Sequence, residues 1–373
     1  MTRVVQVANF VTPRSGGLRT ALRHLAEGYG RAGHEVVQVL PGAADAVHEA
    51  PWGRVVHVAA PEVPGTGYRV LTRPRALART VRALDPDRVE VHDRLTLRAL
   101  GRRVDAPSLV VSHERLDVLL GQWSPGAGSS PAGRALVDRS NARLADGFDS
   151  VVCTTRWAAE EFTRLGRPVH RVPLGVDLAR FTPDARSQAV HDALTRPGEA
   201  LLLMATRLSR EKAPELAVDA VAALVARGVR VRLVVAGDGP MRAALRRRSA
   251  GLPVSWLGHV AARDRLAELL ASADVVLAPG PVETFGLAAL EALASGTPVV
   301  ARASSALPEV LGQGAGLAVD GTPAAVADAV GALLARPGAR AAARARAERY
   351  PWSATVEGFL AVHRLHAAAR VAA

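Results

Sequence analysis

The chain has 373 residues, of which 49% are hydrophobic and 22% charged, and its formal net charge at pH 7 is +12. This length is typical of two domains with substantial cores. The single cysteine, Cys153, excludes an internal disulfide and a cysteine-based metal site. All but one of the 47 basic residues are arginine, and only 4% of residues are aromatic. We therefore attribute the positive charge to compositional bias and expect no nucleic-acid partner.

Short apolar, β-branched runs alternate with helical patterns along the whole chain. Continuous apolar runs with helices between them predict parallel strands that are buried on both faces. We predict two doubly wound α/β domains, one formed by residues 1–173 with a C-terminal helix within 350–373, the other by residues 174–349. The predicted strands are 3–8, 36–40, 54–58, 88–92, 108–112, 150–154, 201–206, 231–236, 274–278 and 297–301.

In the first domain, two strand ends carry candidate ligand contacts, because ligands of such sheets bind beyond the carboxyl ends of the strands. The strand 3–8 leads into a loop with Gly16 and Gly17. No Gly-x-Gly-x-x-Gly follows this strand, which argues against a dinucleotide-dependent oxidoreductase. His113 follows the strand 108–112. A histidine that hydrogen-bonds a loop carbonyl is the alternative interpretation of His113.

The stretch 69–82 contains five arginines and no acidic residue. It predicts a helix at 75–84 with Arg75, Arg79 and Arg82 on one face. We favour a solvated surface, and the alternative is a peripheral contact with anionic lipid headgroups. The N-terminal run lacks the length of a signal peptide, and no window approaches 18 uninterrupted apolar residues. We therefore expect a cytoplasmic protein, with contact at the inner face of the plasma membrane as the alternative.

The loop after the strand 201–206 carries Arg207 and the only lysine of the chain, Lys212. Arginine offers phosphate a planar fork of donors, and lysine offers a compact ammonium. The retention of one lysine against a strong bias towards arginine favours a phosphate contact for Lys212 over an ordinary surface charge.

The strand 231–236 runs into the turn Gly237-Asp238-Gly239-Pro240 and then a basic helix. The glycines allow the backbone to approach a ligand, Asp238 is suited to cap the helix, and Pro240 fits its first turn. An ordinary strand-to-helix turn would have the same sequence, so Gly237 is a candidate only in combination with other motifs.

Residues 278–296, APGPVETFGLAALEALASG, form the most specific stretch of the chain. A strand ends at Ala278, a loop presents Glu283, and Phe285, Gly286 and Leu287 open a helix that carries Glu291. The N–H groups at a helix start are suited to bind hydroxyl or phosphate oxygens, and Gly286 would let a substrate come close. A first-turn acid that complements the helix dipole accounts for Glu283, but Glu291 lies on an apolar face and needs a partner.

Together these motifs resemble the retaining GT-B glycosyltransferases of family four. The resemblance covers most of residues 200–310 and the tail 349–365, and it implies two Rossmann-like domains that face each other across a cleft. It implies that Arg207 and Lys212 bind the diphosphate of a nucleotide-sugar donor. It further implies that Glu283 binds the transferred hexose and that Glu291 binds the ribose.

The first half completes the resemblance. In this family, a loop equivalent to Gly16-Gly17 lies beneath the donor diphosphate, and a histidine at the position of His113 contacts the hexose. The implied catalytic group is thus His113, Glu283, Arg207 and Lys212. The implied donor-binding group adds Gly16, Gly17, Gly237, Phe285, Gly286, Leu287 and Glu291.

The motifs are most similar to actinobacterial GDP-mannose-dependent α-mannosyltransferases that act on phosphatidylinositol mannosides. The resemblance implies transfer of a hexose, with GDP-mannose favoured, to a hydroxyl of a lipid-linked or small-molecule acceptor. It also implies a front-face mechanism in which the leaving diphosphate takes the acceptor proton. We assign no Asp-x-Asp metal-binding motif, so we expect neither a metal nor another cofactor. The alternatives are a secondary-metabolite glycosyltransferase that uses a UDP-sugar, a nucleotide-sugar 2-epimerase and a non-enzymatic nucleic-acid binder.

Overall fold

The computed structural model describes residues 1–12, 16–64, 66–124, 126, 128 and 130–365. It divides into two compact units. The first comprises Met1–Leu174 with Trp352–Ala373, and the second comprises Gly175–Pro351. The end of the predicted C-terminal helix, residues 366–373, lies outside the described residues. Within the described part of the chain, no helix is both long and apolar enough to cross a membrane.

The first unit is built on a sheet that has eight strands among the described residues. All neighbours pair in parallel except β3, which is antiparallel to β4. Their order is β3-β4-β2-β1-β5-β6-β7-β8. The strands are β1 (Arg3–Val7), β2 (Glu35–Gly42), β3 (Ala46–Ala50), β4 (Gly53–Ala59), β5 (Arg88–Val91), β6 (Ser108–Ser112), β7 (Ser150–Cys153) and β8 (His170–Arg171).

Helices cover both faces of this sheet, as its apolar strands require. Val5 and Val7 of β1 belong to the core on one face, and Val4 belongs to the core on the other. Ser130 and Thr155 accept hydrogen bonds at the N-termini of α4 and α5. The helices are α1 (Gly17–Arg31), α2 (Pro74–Ala83), α3 (Leu116–Trp123), α4 (Pro131–Ala145) and α5 (Arg156–Thr163).

The second unit contains a parallel sheet with six strands among the described residues, in the order β11-β10-β9-β12-β13-β14. Its strands are β9 (Ala200–Ala205), β10 (Val231–Ala236), β11 (Val254–Gly258), β12 (Val275–Ala278), β13 (Val299–Arg302) and β14 (Gly316–Val319). Its helices are α6 (Gln188–Leu194), α7 (Glu215–Ala226), α8 (Arg242–Arg248), α9 (Arg263–Ser272), α10 (Leu287–Ala294), α11 (Leu307–Leu311), α12 (Pro323–Leu334) and α13 (Ala339–Ala347).

The chain returns to the first unit in α14 (Trp352–Val362), which packs against α1. A Cβ atom on Gly28 of α1 would collide with the side chain of Val356, so glycine is required for this close approach. The ring of His24 stacks on that of Trp352 with centroids 4.5 Å apart. The last helix is therefore an integral part of the first unit.

All ten predicted strands are present, and their ends differ from the prediction by at most two residues. The prediction missed β3, β8, β11 and β14. These are the end strands of the two sheets. An end strand has only one paired neighbour and carries fewer buried side chains, so it lacks the continuous apolar run that identifies a central strand.

Candidate functional site

The loops that leave β9, β10, β11 and β12 lie at one edge of the second sheet. These strands are adjacent and parallel, so their carboxyl ends meet at that edge. The loop after β9 carries Arg207 and Lys212, and the loop after β12 carries Glu283. Residues that are far apart in the sequence are thus brought to one surface of the second unit.

Lys212 and Glu283 are in direct contact. The Nζ atom of Lys212 donates a hydrogen bond to Oε1 of Glu283 over 2.5 Å, and about a quarter of each side chain is exposed. Lys212 ends a short 3₁₀ turn, and Ala213 after it has a positive φ of 42°. The carbonyl of Glu283 accepts a hydrogen bond from the N–H of Ala306 at 2.8 Å, and this bond fixes the loop after β12. The two predicted residues therefore present one accessible cation–anion pair.

Arg207 is exposed on the same loop as Lys212. The turn after β10 supports this loop: a Cβ atom on Gly237 would collide with the carbonyl oxygen of Thr206, and one on Gly239 would lie 2.5 Å from that of Leu208. The glycines therefore let two neighbouring loops pack backbone to backbone, and the approach of a ligand to them stays a prediction.

Asp238 does not cap the following helix, contrary to expectation. The helix α8 begins at Arg242, and its N-terminus has no side-chain hydrogen bond. The carboxylate of Asp238 instead accepts from the N–H of Gly239 at 2.8 Å and from Nη1 of Arg242 at 3.0 Å. The hydrogen bonds of Asp238 therefore stabilise the turn and do not cap the start of α8.

Phe285, Gly286 and Leu287 form the start of α10, which begins at Leu287. Gly286 has φ of 80°, and a Cβ atom there would collide with Leu307. Backbone conformation and packing therefore favour glycine at this position, and the close approach of a substrate stays a prediction. The ring of Phe285 is 4% exposed and meets Tyr350 edge-on at 6.0 Å. The buried ring anchors the loop, so a ligand at this helix start would meet main-chain N–H groups.

Glu291 lies on α10 and is only 6% exposed. Its Oε1 accepts a hydrogen bond from Nη2 of Arg263 at 2.5 Å, and that guanidinium lies 4.9 Å from the ring centre of Phe181. Burial raises the pKa of Glu291, and the charge of Arg263 opposes the rise. The sequence indicated that Glu291 needs a partner but did not identify it. Arg263 follows β11, a strand that the prediction missed, so no predicted strand pointed to it.

Gly16 and Gly17 lie at the N-terminus of α1, and both are exposed. A Cβ atom on Gly16 would meet nothing within 4 Å, and its φ of −88° suits any residue. Within the described part of the chain, neither packing nor conformation requires glycine at this position. The helix start has neither a side-chain cap nor an acidic residue in its first turn, so its N–H groups suit an anionic ligand.

His113 follows β6 and is partly exposed. Its Nε2 lies 3.1 Å from Nδ1 of the buried His92, and the two rings are nearly parallel. Burial, and secondarily the charge of His92, lowers the pKa of His113 to about 3. The ring is therefore neutral at physiological pH. His113 thus has an identified histidine partner, which the sequence did not suggest.

The predicted basic helix is present as α2. Leu77 and Val81 are buried, whereas Arg75, Arg79 and Arg82 are exposed. A shallow depression of about 480 Å³ lies beside the start of this helix. It is lined by Arg73, Pro74, Arg75, Ala76, Arg79 and Arg103.

The family follows from comparison with known proteins. Residues 187–350 match the model for glycosyl transferases group 1, and residues 16–175 match a glycosyl transferase 4-like domain. The chain belongs to the group 1 glycosyltransferases. The predicted enzyme class, a hexosyltransferase, is therefore confirmed.

Individual relatives agree with this family. The chain is 46% identical over 366 residues to the GDP-mannose-dependent alpha-(1-6)-phosphatidylinositol dimannoside mannosyltransferase of Mycobacterium tuberculosis H37Ra, and the match covers 96% of this chain and 95% of the relative. It is 37% identical over 284 residues to the D-inositol 3-phosphate glycosyltransferase of Xylanimonas cellulosilytica, covering 70% and 67%.

Solved structures confirm the fold class. The structure of sucrose-phosphate synthase from Thermosynechococcus elongatus superimposes with a TM-score of 0.78 at 20% identity, covering 98% of each chain. A trehalose-phosphate synthase from Burkholderia vietnamiensis gives 0.75 at 19% identity and covers 100% of this chain and 99% of its own. The two-domain α/β fold is that of GT-B glycosyltransferases.

Proposed function

We propose that the protein transfers mannose from GDP-mannose to a phosphatidylinositol dimannoside, forming an α(1-6) linkage with retention of configuration. The observation that carries this proposal is the 46% identity to a mycobacterial enzyme of that description. The identity extends over 96% of the chain and so includes both units. The donor-side and acceptor-side residues are therefore compared together, and not only the donor motifs that many glycosyltransferases share.

On the second unit, we assign the diphosphate to Arg207 and Lys212. The Lys212–Glu283 pair supports this assignment, because it holds a partly exposed ammonium at the edge of the sheet, where a diphosphate can replace Glu283 as its hydrogen-bond partner. When a diphosphate takes the ammonium of Lys212, the carboxylate of Glu283 becomes available to accept hydrogen bonds from hexose hydroxyls. Glu291, held by Arg263, accepts from the ribose diol.

Main-chain donors complete the proposed donor site. The N–H groups at Phe285, Gly286 and Leu287 and the start of α1 at Gly16 and Gly17 are suited to bind donor oxygens. Gly237 acts indirectly, because it allows the loop that carries Arg207 and Lys212 to pack as it does. On the first unit, we assign His113 to a hydroxyl of the transferred sugar.

The chemical step requires negative charge to build up on the leaving diphosphate. Fixed cations at the position of this charge stabilise the transition state more than the ground state, which is the main way a preorganised site accelerates a reaction. Arg207 and Lys212 supply that stabilisation here. The leaving diphosphate accepts the proton of the acceptor hydroxyl, and the proposal includes neither a metal nor another cofactor.

A transfer assay tests the proposed function. Each reaction contains the protein, phosphatidylinositol dimannoside and one donor. The donors compared are GDP-mannose, UDP-glucose and UDP-N-acetylglucosamine. We expect a trimannosylated lipid only with GDP-mannose, and a new α-anomeric signal in its NMR spectrum. No lipid product with GDP-mannose would contradict the proposal. Transfer from a UDP-sugar to a small-molecule acceptor, added in further reactions, would favour the secondary-metabolite alternative.

We further propose that α2 contacts anionic lipid at the inner face of the plasma membrane. The support is the exposed arginine face beside the depression at Arg103. Flotation with phosphatidylinositol vesicles measures the contact, and the double variant Arg75→Gln/Arg79→Gln should lose most of the bound fraction. The exposed pair Arg246 and Arg247 on α8 gives a control with the same change of charge. Equal loss in both double variants, or no flotation of the unchanged protein, would contradict this contact.

A further inference from the structure

The first unit contains a fully buried ion pair between Arg94 and Glu161. Arg94 lies in the loop after β5 and Glu161 lies on α5, and their side chains are 1% and 0% exposed. The Nη1 atom of Arg94 donates to Oε2 of Glu161 at 2.7 Å. The loss of hydration of two buried charges can exceed their attraction, so such a pair is weak evidence for a stabilising role. Its further hydrogen bonds show what the pair does.

The other hydrogen bonds of Glu161 go to the start of α3. Its Oε2 accepts from the N–H of Leu116 at 3.0 Å, and its Oε1 accepts from the N–H of Asp117 at 2.8 Å. These are the first two residues of α3, and the first N–H groups of a helix have no acceptor within it. Arg115, directly before the helix, provides no side-chain cap. A carboxylate of α5 therefore caps α3 in place of a residue next to the helix.

The other hydrogen bonds of Arg94 go to residues on both sides of His113. Its Nη1 donates to the carbonyl oxygen of Glu114 at 2.8 Å and to Oγ of Ser112 at 3.0 Å. The hydroxyl of Ser112 donates to the same carbonyl at 3.0 Å. The Nη2 of Arg94 donates to Oδ1 of Asn141 on α4. A planar guanidinium has its donors in fixed directions, so this contact set defines the path of the backbone around His113.

We propose that Arg94 and Glu161 are positioning residues that hold residues 113–117, the β6–α3 segment, in the conformation in which His113 meets the transferred sugar. The sugar contact of His113 rests on the proposed function. The hold on the β6–α3 segment does not, because its hydrogen bonds all lie within the first unit.

Hydrogen exchange measures this hold in the protein without ligand. Mass spectrometry follows the amides of a peptide that contains residues 114–119. The double variant Arg94→Met/Glu161→Gln removes both charges, so neither is left buried without a counterion. We expect this peptide to exchange at least about tenfold faster at the amides of Leu116 and Asp117, the scale of one lost hydrogen bond. Unchanged exchange in the folded double variant would overturn the proposal.

A conservative variant carries the same test if the double variant does not fold. Arg94→Lys keeps a buried cation opposite Glu161 but loses the fork that reaches both Glu114 and Asn141. The same peptide should exchange faster in Arg94→Lys, and unchanged exchange would again overturn the proposal.

Kinetics with GDP-mannose and the dimannoside separate positioning from general damage. We expect the double variant to lower kcat at least about tenfold, because a small displacement of a group near the reacting atoms costs one to two orders of magnitude. The dissociation constant of GDP, measured by calorimetry, should change less than about twofold, because no residue of the β6–α3 segment is assigned to GDP. A loss of GDP affinity as large as the loss of kcat would contradict a positioning role.

The matched control is Arg3→Met/Glu35→Gln. This ion pair joins the first residues of β1 and β2, at the opposite edge of the same sheet, with Nε and Oε2 2.8 Å apart. We expect its exchange in residues 114–119 and its kcat to change less than about twofold. Equal losses of kcat in both double variants would indicate a merely structural role and contradict the proposal. If the unchanged protein does not transfer mannose, the proposed function fails, while hydrogen exchange still decides whether the pair holds the β6–α3 segment.

Discussion

The candidate residues of the two units are supported in different ways. At the edge of the second unit, Lys212 and Glu283 form a pair with about a quarter of each side chain exposed. In the first unit, His113 rests on a buried chain of polar groups that ends at Glu90, which has no exposed surface. A ligand can reach a partly exposed ion pair, whereas a hydrogen-bonded buried carboxylate holds one arrangement. We therefore propose that the residues of the second unit bind the charged part of the donor and that those of the first unit fix the orientation of His113.

The largest expected effect is that of Lys212→Ala. Losing one preorganised cation at the diphosphate should lower kcat at least about a hundredfold, measured by release of GDP in the transfer assay. Arg210→Ala is the matched control, because Arg210 is exposed in the same turn, and we expect little change. Near-normal turnover of Lys212→Ala would contradict the assignment of the diphosphate to this loop of the second unit.

Gly286→Ala should destabilise the start of α10. Alanine at a φ of 80° is strained, and its Cβ would collide with Leu307. We expect the free energy of unfolding to fall by about 2 kcal/mol in urea titrations. Gly16→Ala, where a Cβ has open space, should change it by less than about 0.5 kcal/mol. Equal stability of the two variants would show that the observed packing at Gly286 is not needed.

Glu291→Gln tests whether the buried carboxylate that pairs with Arg263 binds the ribose. We expect KM for GDP-mannose to rise about tenfold with kcat little changed, because the ribose contact is equally present in the ground state and the transition state. The pKa of Glu291 is raised, so the unchanged enzyme should also show a rising KM as the pH falls and the carboxylate is protonated. Glu268→Gln on α9 serves as the control. A pH-independent KM in the unchanged enzyme would contradict the assignment.

Glu114 should make the stability of the first unit depend on pH. Burial and the charge of Asp93 raise its pKa to about 7, although Arg94 opposes the rise. Between its ordinary value and about 7, the folded state keeps a proton that the unfolded state releases, so stability falls as the pH rises through that window and then stays lower. We expect the free energy of unfolding to fall by about 2 kcal/mol between pH 5 and pH 8 in urea titrations, relative to the change in Glu114→Gln. Parallel pH profiles of the two proteins would contradict this.

The central strands and the loops of the second unit could be predicted from the sequence, because their signals are local. A continuous apolar run marks each central strand, and Arg207 and Glu283 lie in the loops that follow β9 and β12. The end strand β3 could not be predicted, because the exposed polar residues His48 and Glu49 break its apolar run.

Partners that are distant in the sequence were also beyond prediction. Glu90 meets Gln6, 84 residues away, and His363, 273 residues away, and no local pattern connects them. The same holds for Arg263 and Glu291, whose contact depends on the order of β11 and β12 in the sheet. Packing also requires the glycines at 237 and 286, since a Cβ atom at either would collide with protein atoms, and their approach to a ligand stays a prediction.

The most direct measurement for the central claim is a crystal structure of the protein with bound GDP. We expect the diphosphate within hydrogen-bonding distance of Arg207 and Lys212, with the Lys212–Glu283 contact lengthened and the ribose hydroxyls on Glu291. A diphosphate bound elsewhere, with the Lys212–Glu283 pair unchanged, would contradict the account.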